Sequence, residues 1–134
     1  MRLLTALRLA AGGLLAQRTR LNVAAMNLAN AEVTRTAEGG PYRAKDVILA
    51  AEPLEGEEVE GVKVVGIVDD PAPFKEVYDP SHPDADARGM VKYPNVDILT
   101  EMVELLSAGR AYEANLTVVN LTRDLFLKTL DILR

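Results

Sequence analysis

The last 40 residues set the terms for any fold of this chain. No proline follows Pro94, so nothing beyond it forces a helix to break. Asn95 and Asp97 are both suited to cap a helix start. Glu101 and Glu104 in the early turns suit the positive end of a helix dipole. Positions spaced alternately by three and four carry Ile98, Met102, Leu105, Gly109, Tyr112, Leu116, Val119, Arg123, Phe126, Leu130 and Leu133. Nine of these eleven are apolar, the pattern of a helix that packs along a seam. At 1.5 Å per residue such a helix is about 55–60 Å long. A compact globule made from the whole chain has a radius of gyration of only about 14 Å. The chain cannot wrap this helix alone, so the stripe must find an N-terminal helix and other subunits.

The N-terminal segment predicts that partner helix over residues 1–31. Its heptad positions are Leu4, Leu7, Ala11, Leu14, Arg18, Leu21, Ala25 and Leu28, with Arg18 the one polar break. Gly12-Gly13 beside this seam costs helix stability, about 2 kcal/mol for the pair. The helix is therefore weak alone. Asn27 and Asn30 sit near its end, where Asn can close a helix. Residues 32–94 read as a loop- and β-rich module, holding all seven prolines and six of the nine glycines. Strands are predicted at Tyr42–Leu49 and Val62–Val68, joined by an acidic loop over Glu52–Gly61, with shorter ones at Phe74–Tyr78 and Gly89–Tyr93. Residues 95–134 form the long C-terminal helix. The expected fold is mainly α, with two terminal helices packing as a coiled coil around a small, short-stranded β region.

Composition removes most chemistry. The chain has no cysteine and one histidine, His82. That excludes disulfides, Cys-based zinc sites, iron–sulfur clusters and thiol nucleophiles. The net charge of −5 argues against general phosphate-backbone binding. This charge is unevenly placed. Residues 1–31 carry four arginines and no acid, while residues 32–95 carry 14 acids and 7 bases. The basic N-terminus lacks the uninterrupted apolar run and the small-residue cleavage site of a secretory signal. No stretch approaches the ~18 uncharged apolar residues of a membrane span.

Local motifs fare no better as sites. Ser81 and His82 are adjacent, so their side chains diverge and form no nucleophile–base pair. Asp84-x-Asp86-x-Arg88-Gly89 opens like a calcium loop, but Arg88 and Asn95 stand where oxygen ligands are needed. Gly12-Gly13 and Gly39-Gly40 lack phosphate-loop spacing, and Gly39-Gly40-Pro41 reads as a chain reversal. Arg18 and Arg123, set inside apolar seams, suit either snorkelling side chains or ion pairs between subunits with acids such as Glu101, Glu104 or Asp124.

What does stand out is a set of motifs. Asn27-Leu28-Ala29-Asn30, Thr34-Arg35-Thr36 and Gly39-Gly40-Pro41-Tyr42-Arg43 resemble the N-terminal signature of bacterial flagellar rod and hook proteins. Tyr78-Asp79-Pro80-Ser81-His82-Pro83-Asp84-Ala85-Asp86 is followed by Gly89-Met90-Val91 and by Tyr93-Pro94-Asn95-Val96-Asp97. With Glu101-Met102-Val103 and Ala111-Tyr112-Glu113-Ala114-Asn115, this run resembles the proximal-rod branch of that family, the rod protein C type. The resemblance covers essentially the whole chain. Ala44, the short acidic loop and Gly109 are small departures.

The resemblance implies a structural subunit of the flagellar basal body, not an enzyme, with no cofactor, metal, nucleic acid or small-molecule substrate. It implies assembly with copies of itself and other rod proteins into a helical drive-shaft tube that transmits torque and encloses the export channel. Contacts with the inner-membrane ring and export apparatus follow, as does export through the flagellar type III route without signal cleavage. The residues expected at the assembly interface are Leu4, Leu7, Leu14, Leu21, Leu28, Ile98, Met102, Leu105, Tyr112, Leu116, Val119, Phe126 and Leu130. The motif residues carried over are Asn27, Asn30, Thr34, Gly40, Pro41, Tyr42, His82, Pro83, Asp84, Pro94, Asn95, Tyr112 and Asn115. Another axial component of the rod or hook, or a soluble coiled-coil adaptor or export chaperone, is the alternative.

Overall fold

A computed structural model describes residues 2–134. Two long helices lie side by side, with a β hairpin on one of them and a second, smaller hairpin in the connection. The first helix, α1, spans Leu3–Ala29. Then come β1 (Lys45–Pro53), β2 (Glu60–Asp69), β3 (Lys75–Tyr78) and β4 (Met90–Tyr93). The last helix, α2, runs from Ile98 to Ile132, 35 residues. β1 pairs with β2 and β3 with β4, both antiparallel, as two separate sheets of two strands.

The α2 start follows the sequence signals closely. Asp97 is the N-cap, its carboxylate accepting from the Thr100 N–H at 3.2 Å, and Glu101 occupies the first turn. Asn95, the other cap candidate, is used elsewhere. The middle strands differ more. β1 starts three residues later than predicted because Tyr42 is drawn away: its N–H donates to the Val33 carbonyl and its hydroxyl to Asn27. The acidic stretch is not one loop. Glu52 and Pro53 continue β1, Glu60 and Gly61 begin β2, and only residues 54–59 turn. Here Leu54 accepts from Glu57 and donates to Val59, closing the turn with main-chain bonds. The register slips between Ile48 and Leu49, a bulge that bends the hairpin over α1.

The N-terminal seam is corrected in an instructive way. The α1 residues buried within the subunit are Thr5, Ala10, Gly13, Ala16, Val23, Ala24 and Asn27. Of the predicted heptad, Leu14, Leu21 and Leu28 are half-buried, while Leu4, Leu7, Ala11, Arg18 and Ala25 are exposed. Large apolar side chains made the stripe visible in the sequence, but small ones let α1 approach two neighbours at once. A Cβ on Gly13 would lie 2.6 Å from Asn115 Oδ1 on α2, and one on Gly12 would lie 3.4 Å from the Val62 carbonyl on β2. The glycine pair thus lowers helix propensity and permits close approach on both sides.

The α2 seam is displaced as well. Its buried residues are Ala108 and Thr122. Leu105, Gly109, Tyr112 and Val119 are half-buried, while Ile98, Met102, Leu116, Arg123, Phe126, Leu130 and Leu133 are exposed. The helices run antiparallel, with Leu21 against Gly109 and Gly13 against Asn115.

Candidate assembly surface

Two features need a functional account: a polar clasp where α1, β1 and α2 meet, and the uncovered apolar faces of both helices. The clasp begins with Asn27, 1% exposed. Its Oδ1 accepts from the Tyr42 hydroxyl at 2.7 Å and from the Lys45 N–H at 3.0 Å. Its Nδ2 donates to the Lys45 carbonyl at 2.9 Å. One amide side chain thus stands in for a strand partner at the first residue of β1. Burial, with Glu101 and Asp69 nearby, raises the Tyr42 pKa, which keeps the phenol a donor.

Asn95 performs the matching task from the other end of the module. Its Oδ1 accepts from the Ala44 N–H at 2.8 Å, and its Nδ2 donates to the carbonyls of Asp70 and Ala72. Arg43 donates to the same two carbonyls while its guanidinium stacks 4.1 Å from the centre of the Phe74 ring. Lys75 donates to the Val96 carbonyl at 2.7 Å, and Pro94 is fully buried beside them. The entry to α2 is therefore fixed to the exit of the hairpin.

A third cluster involves the motif residues before β4. The Thr34 hydroxyl donates to Asp84 at 2.7 Å, and Arg35 pairs with the same carboxylate. These bonds hold the Asp84 pKa below its ordinary value. His82 Nδ1 accepts from the Asp84 N–H at 3.0 Å, and its ring meets Tyr93 edge-on. Asp86 accepts from the Arg88 and Met90 N–H groups. Both aspartates are thus committed to structural bonds. Gly40 and Pro41 line an open groove of about 280 Å³ with them. Among the described residues no cluster of His, Asp and Glu is arranged to hold a metal, and no described helix is long and apolar enough to cross a membrane.

The structure thus brings Asn27 and Tyr42 together, and separately Thr34, His82 and Asp84. Asn30 remains at the end of α1, donating back to the Met26 carbonyl. Asn115 lies between the helices, bonded to the Ala111 carbonyl. Tyr112 is half-buried and Pro83 exposed. Sequence reasoning passed over Glu57, whose carboxylate accepts from the Thr5 hydroxyl at 2.7 Å and from Arg2 at 3.2 Å. Its pKa is lowered by these partners, Thr5 first. It supplies a carboxylate beside a helix start that has no side-chain cap of its own. It also passed over Arg20, which bonds Glu104 at 2.7 Å. The absence of any acid in the first 31 residues was the available signal for both, since those arginines need partners from elsewhere. Arg123 is joined by its neighbour Asp124 at 3.2 Å.

The helix faces turned outward are apolar. Thirteen of the 35 residues of α2 are large apolar side chains left exposed, against two buried residues, both small. They surround most of the helix circumference. Between the first turns of α1 and the late turns of α2 lies an apolar groove of about 500 Å³, lined by Leu3, Leu4, Leu7 and Phe126 among others. A helix with apolar residues on nearly all sides is ordinarily buried on all sides.

Comparison with known proteins shows the family of the chain. Residues 7–35 match the family model described as flagella basal body rod protein. Residues 87–132 match the one described as flagellar basal body rod FlgEFG protein C-terminal. The chain is 48% identical to the flagellar basal-body rod protein FlgC of Yersinia enterocolitica, over 97% of each chain. It is likewise 48% identical, over the same shares, to FlgC of Salmonella typhimurium. The chain belongs to the FlgC family of flagellar basal-body rod proteins. A more divergent FlgC, from Borreliella burgdorferi, is 40% identical and aligns with the whole of this chain. Membership makes this chain a structural protein of the flagellar basal body and not an enzyme. The two matched regions fall on α1 with its exit and on β4 with α2. Those segments carry Asn27, Asn95 and most of the uncovered helix faces, while Tyr42, Arg43 and Lys45 of the clasp lie between them.

Proposed function

We propose that this chain is a subunit of the proximal rod whose terminal helices complete their core only between neighbouring subunits. The observation that carries this is α2: thirteen exposed large apolar side chains on one helix. Burying a large apolar side chain gains about 1.5–3 kcal/mol, so covering thirteen that are half-exposed gains on the order of 10 kcal/mol or more per subunit. Subunits packed this way form a helical tube around the export channel. Torque then passes as shear spread over many aliphatic contacts and needs no reactive group. Of the residues named from the heptads, Leu4, Leu7, Ile98, Met102, Leu116, Phe126 and Leu130 are exposed and form the assembly surface, while Leu14, Leu21, Leu28, Leu105, Tyr112 and Val119 are half-buried and support it from within the subunit. Other rod proteins continue the tube, and the inner-membrane ring and export apparatus meet its base. The subunit leaves the cytoplasm through the flagellar type III route with its N-terminus uncleaved and takes its place in the rod that crosses the periplasm. Its chain is unfolded in transit, and the outward faces of its helices are covered on assembly.

The test is placement. Basal bodies isolated from a strain whose own copy is replaced by an epitope-tagged one should carry the tag in the rod next to the inner-membrane ring, and a deletion strain should lack rods. Normal rods in the deletion strain would overturn the proposal.

A further inference from the structure

We propose that the outward ridge of α1 docks antiparallel onto the outward ridge of α2 in a second copy of this chain, with Arg8 and Arg18 meeting Asp124 and Glu113. The proposal rests on the rod-subunit reading and names the partner of the surface. On α1, Leu4, Arg8, Leu15 and Arg18 fall within one arc of about 100° at about 100° per residue. All four are exposed. They follow a 4-3 spacing distinct from the stripe turned toward α2. Of the four arginines in α1 and its cap, Arg2 pairs with Glu57 and Arg20 with Glu104. Arg8 and Arg18 form no ion pair among the described residues. The ridge is thus apolar with no acid and two cations outside any close ion pair among the described residues, although, after Thr5 and Arg2, the Arg8 charge also helps lower the Glu57 pKa.

The side of α2 facing away from α1 offers the complement. Glu113 is exposed and has no ion pair among the described residues, and Asp124 is held only by its sequence neighbour Arg123. The two cations are ten residues apart, about 15 Å along a helix, and the two acids eleven apart, about 16–17 Å. With Arg18 set against Glu113 in antiparallel register, Leu15 faces Leu116, Arg8 faces Asp124 and Leu4 faces Leu127. Leu116 and Leu127 are 40% and 52% exposed. This register nearly repeats the one inside the subunit, where Gly13 meets Asn115 and Leu21 meets Gly109. Copies stacked side by side in one orientation keep α1 of one antiparallel to α2 of the next, which is what the match requires. The interface joins two different surfaces, so it extends an array rather than closing a dimer.

Charge exchange on the full chain tests this. Sedimentation velocity of the wild-type chain should show self-association that weakens with salt. The double variants Arg8→Glu/Arg18→Glu and Glu113→Lys/Asp124→Lys should each associate at least tenfold more weakly, with unchanged far-UV circular dichroism. A one-to-one mixture should recover association to within a few-fold of wild type, because each variant's altered helix then meets an opposite charge. Wild-type chain that stays monomeric up to about 1 mM, the range of contacts too weak to matter, overturns the proposal. So do variants that associate normally, or a mixture that does not recover. Rods that assemble normally with either double variant would overturn the docking while leaving the rod-subunit reading intact. Absence of the wild-type chain from basal bodies would overturn that reading.

Discussion

Replacing Asn27 with alanine isolates what the clasp contributes to the monomer. Asn27 makes three side-chain bonds: from the Tyr42 hydroxyl and the Lys45 N–H to its Oδ1, and from its Nδ2 to the Lys45 carbonyl. All are 3.0 Å or shorter. Alanine removes all three and leaves a main-chain donor, a main-chain acceptor and a phenol short of partners. Each stranded buried group costs about 1–3 kcal/mol. Lys45 is half-buried, so water recovers part of this, and the net loss is about 2–4 kcal/mol. For a chain of this size, 1 kcal/mol moves Tm by about 3–5 °C, so the transition should fall by roughly 10 °C. Urea unfolding of the free subunit, followed by far-UV circular dichroism and tyrosine fluorescence, reads the change. Hydrogen exchange should show the Lys45 amide losing protection in the variant before the α2 amides do. Asn27→Asp sharpens the test. It keeps the acceptor, loses the donor and adds charge near Glu101 and Asp46, two acids whose pKa values burial has already raised. It should be worse than alanine at neutral pH and recover in acid. An alanine variant within about 0.5 kcal/mol of wild type, the range of an ordinary surface change, would refute the reasoning.

Four shorter predictions follow from particular contacts. Gly109→Ala should stabilise the free subunit by about 0.5–1 kcal/mol by helix propensity. The new Cβ would meet only Leu21 Cδ2, at an ordinary 3.9 Å, and an unchanged or lower thermal midpoint would contradict this. Gly89→Ala should destabilise by more than about 1 kcal/mol. Its φ is +79°, and a Cβ would lie 2.8 Å from Tyr78 Cε2, so loss of the β3–β4 cross-peaks in NMR is the expected sign. The hairpin tip should release α1 in acid. Glu57 has a lowered pKa, so its stabilising contribution is full above the ordinary carboxylate range and is lost as pH falls through the folded value. Exchange of the first α1 amides should rise there, and Glu57→Gln should remove that dependence. Asp46 behaves oppositely, because its pKa is raised, first by burial and then by Asp70. Asp46→Asn should therefore stabilise at neutral pH and lose that advantage once the native carboxyl is protonated, which denaturation at two pH values checks.

Much of the architecture was legible because helix signals are local. The proline-free stretch, the two cap candidates and the apolar spacing placed a helix over residues 95–134, close to the observed Ile98–Ile132, and the matching pattern placed α1. The strand cores at Val62–Val68 and near Val47 were legible from β-branched runs. Their ends were not, because Tyr42 and Glu60 are assigned by partners distant in sequence. Asn27 was noticed as a possible cap, but its task depends on Lys45 and Tyr42 lying beside it, which no spacing rule encodes. The calcium-like loop opening at Asp84 already lacks ligands at Arg88 and Asn95, but only the structure shows that Thr34 and Arg35 take the Asp84 oxygens.

Periodicity along one chain determined by itself that two long helices exist and that they are too long to be covered by a short middle module, and composition that no metal- or thiol-based chemistry built on cysteine is available. It did not decide which face of each helix turns inward. A heptad of large side chains marks every face that seeks cover, and these helices carry more than one. The tertiary structure chose the faces bearing Gly13, Ala16, Ala24 and Ala108 for the inside. Close approach of α1 to both α2 and the hairpin needs small side chains, so most of the large ones are left on the outside.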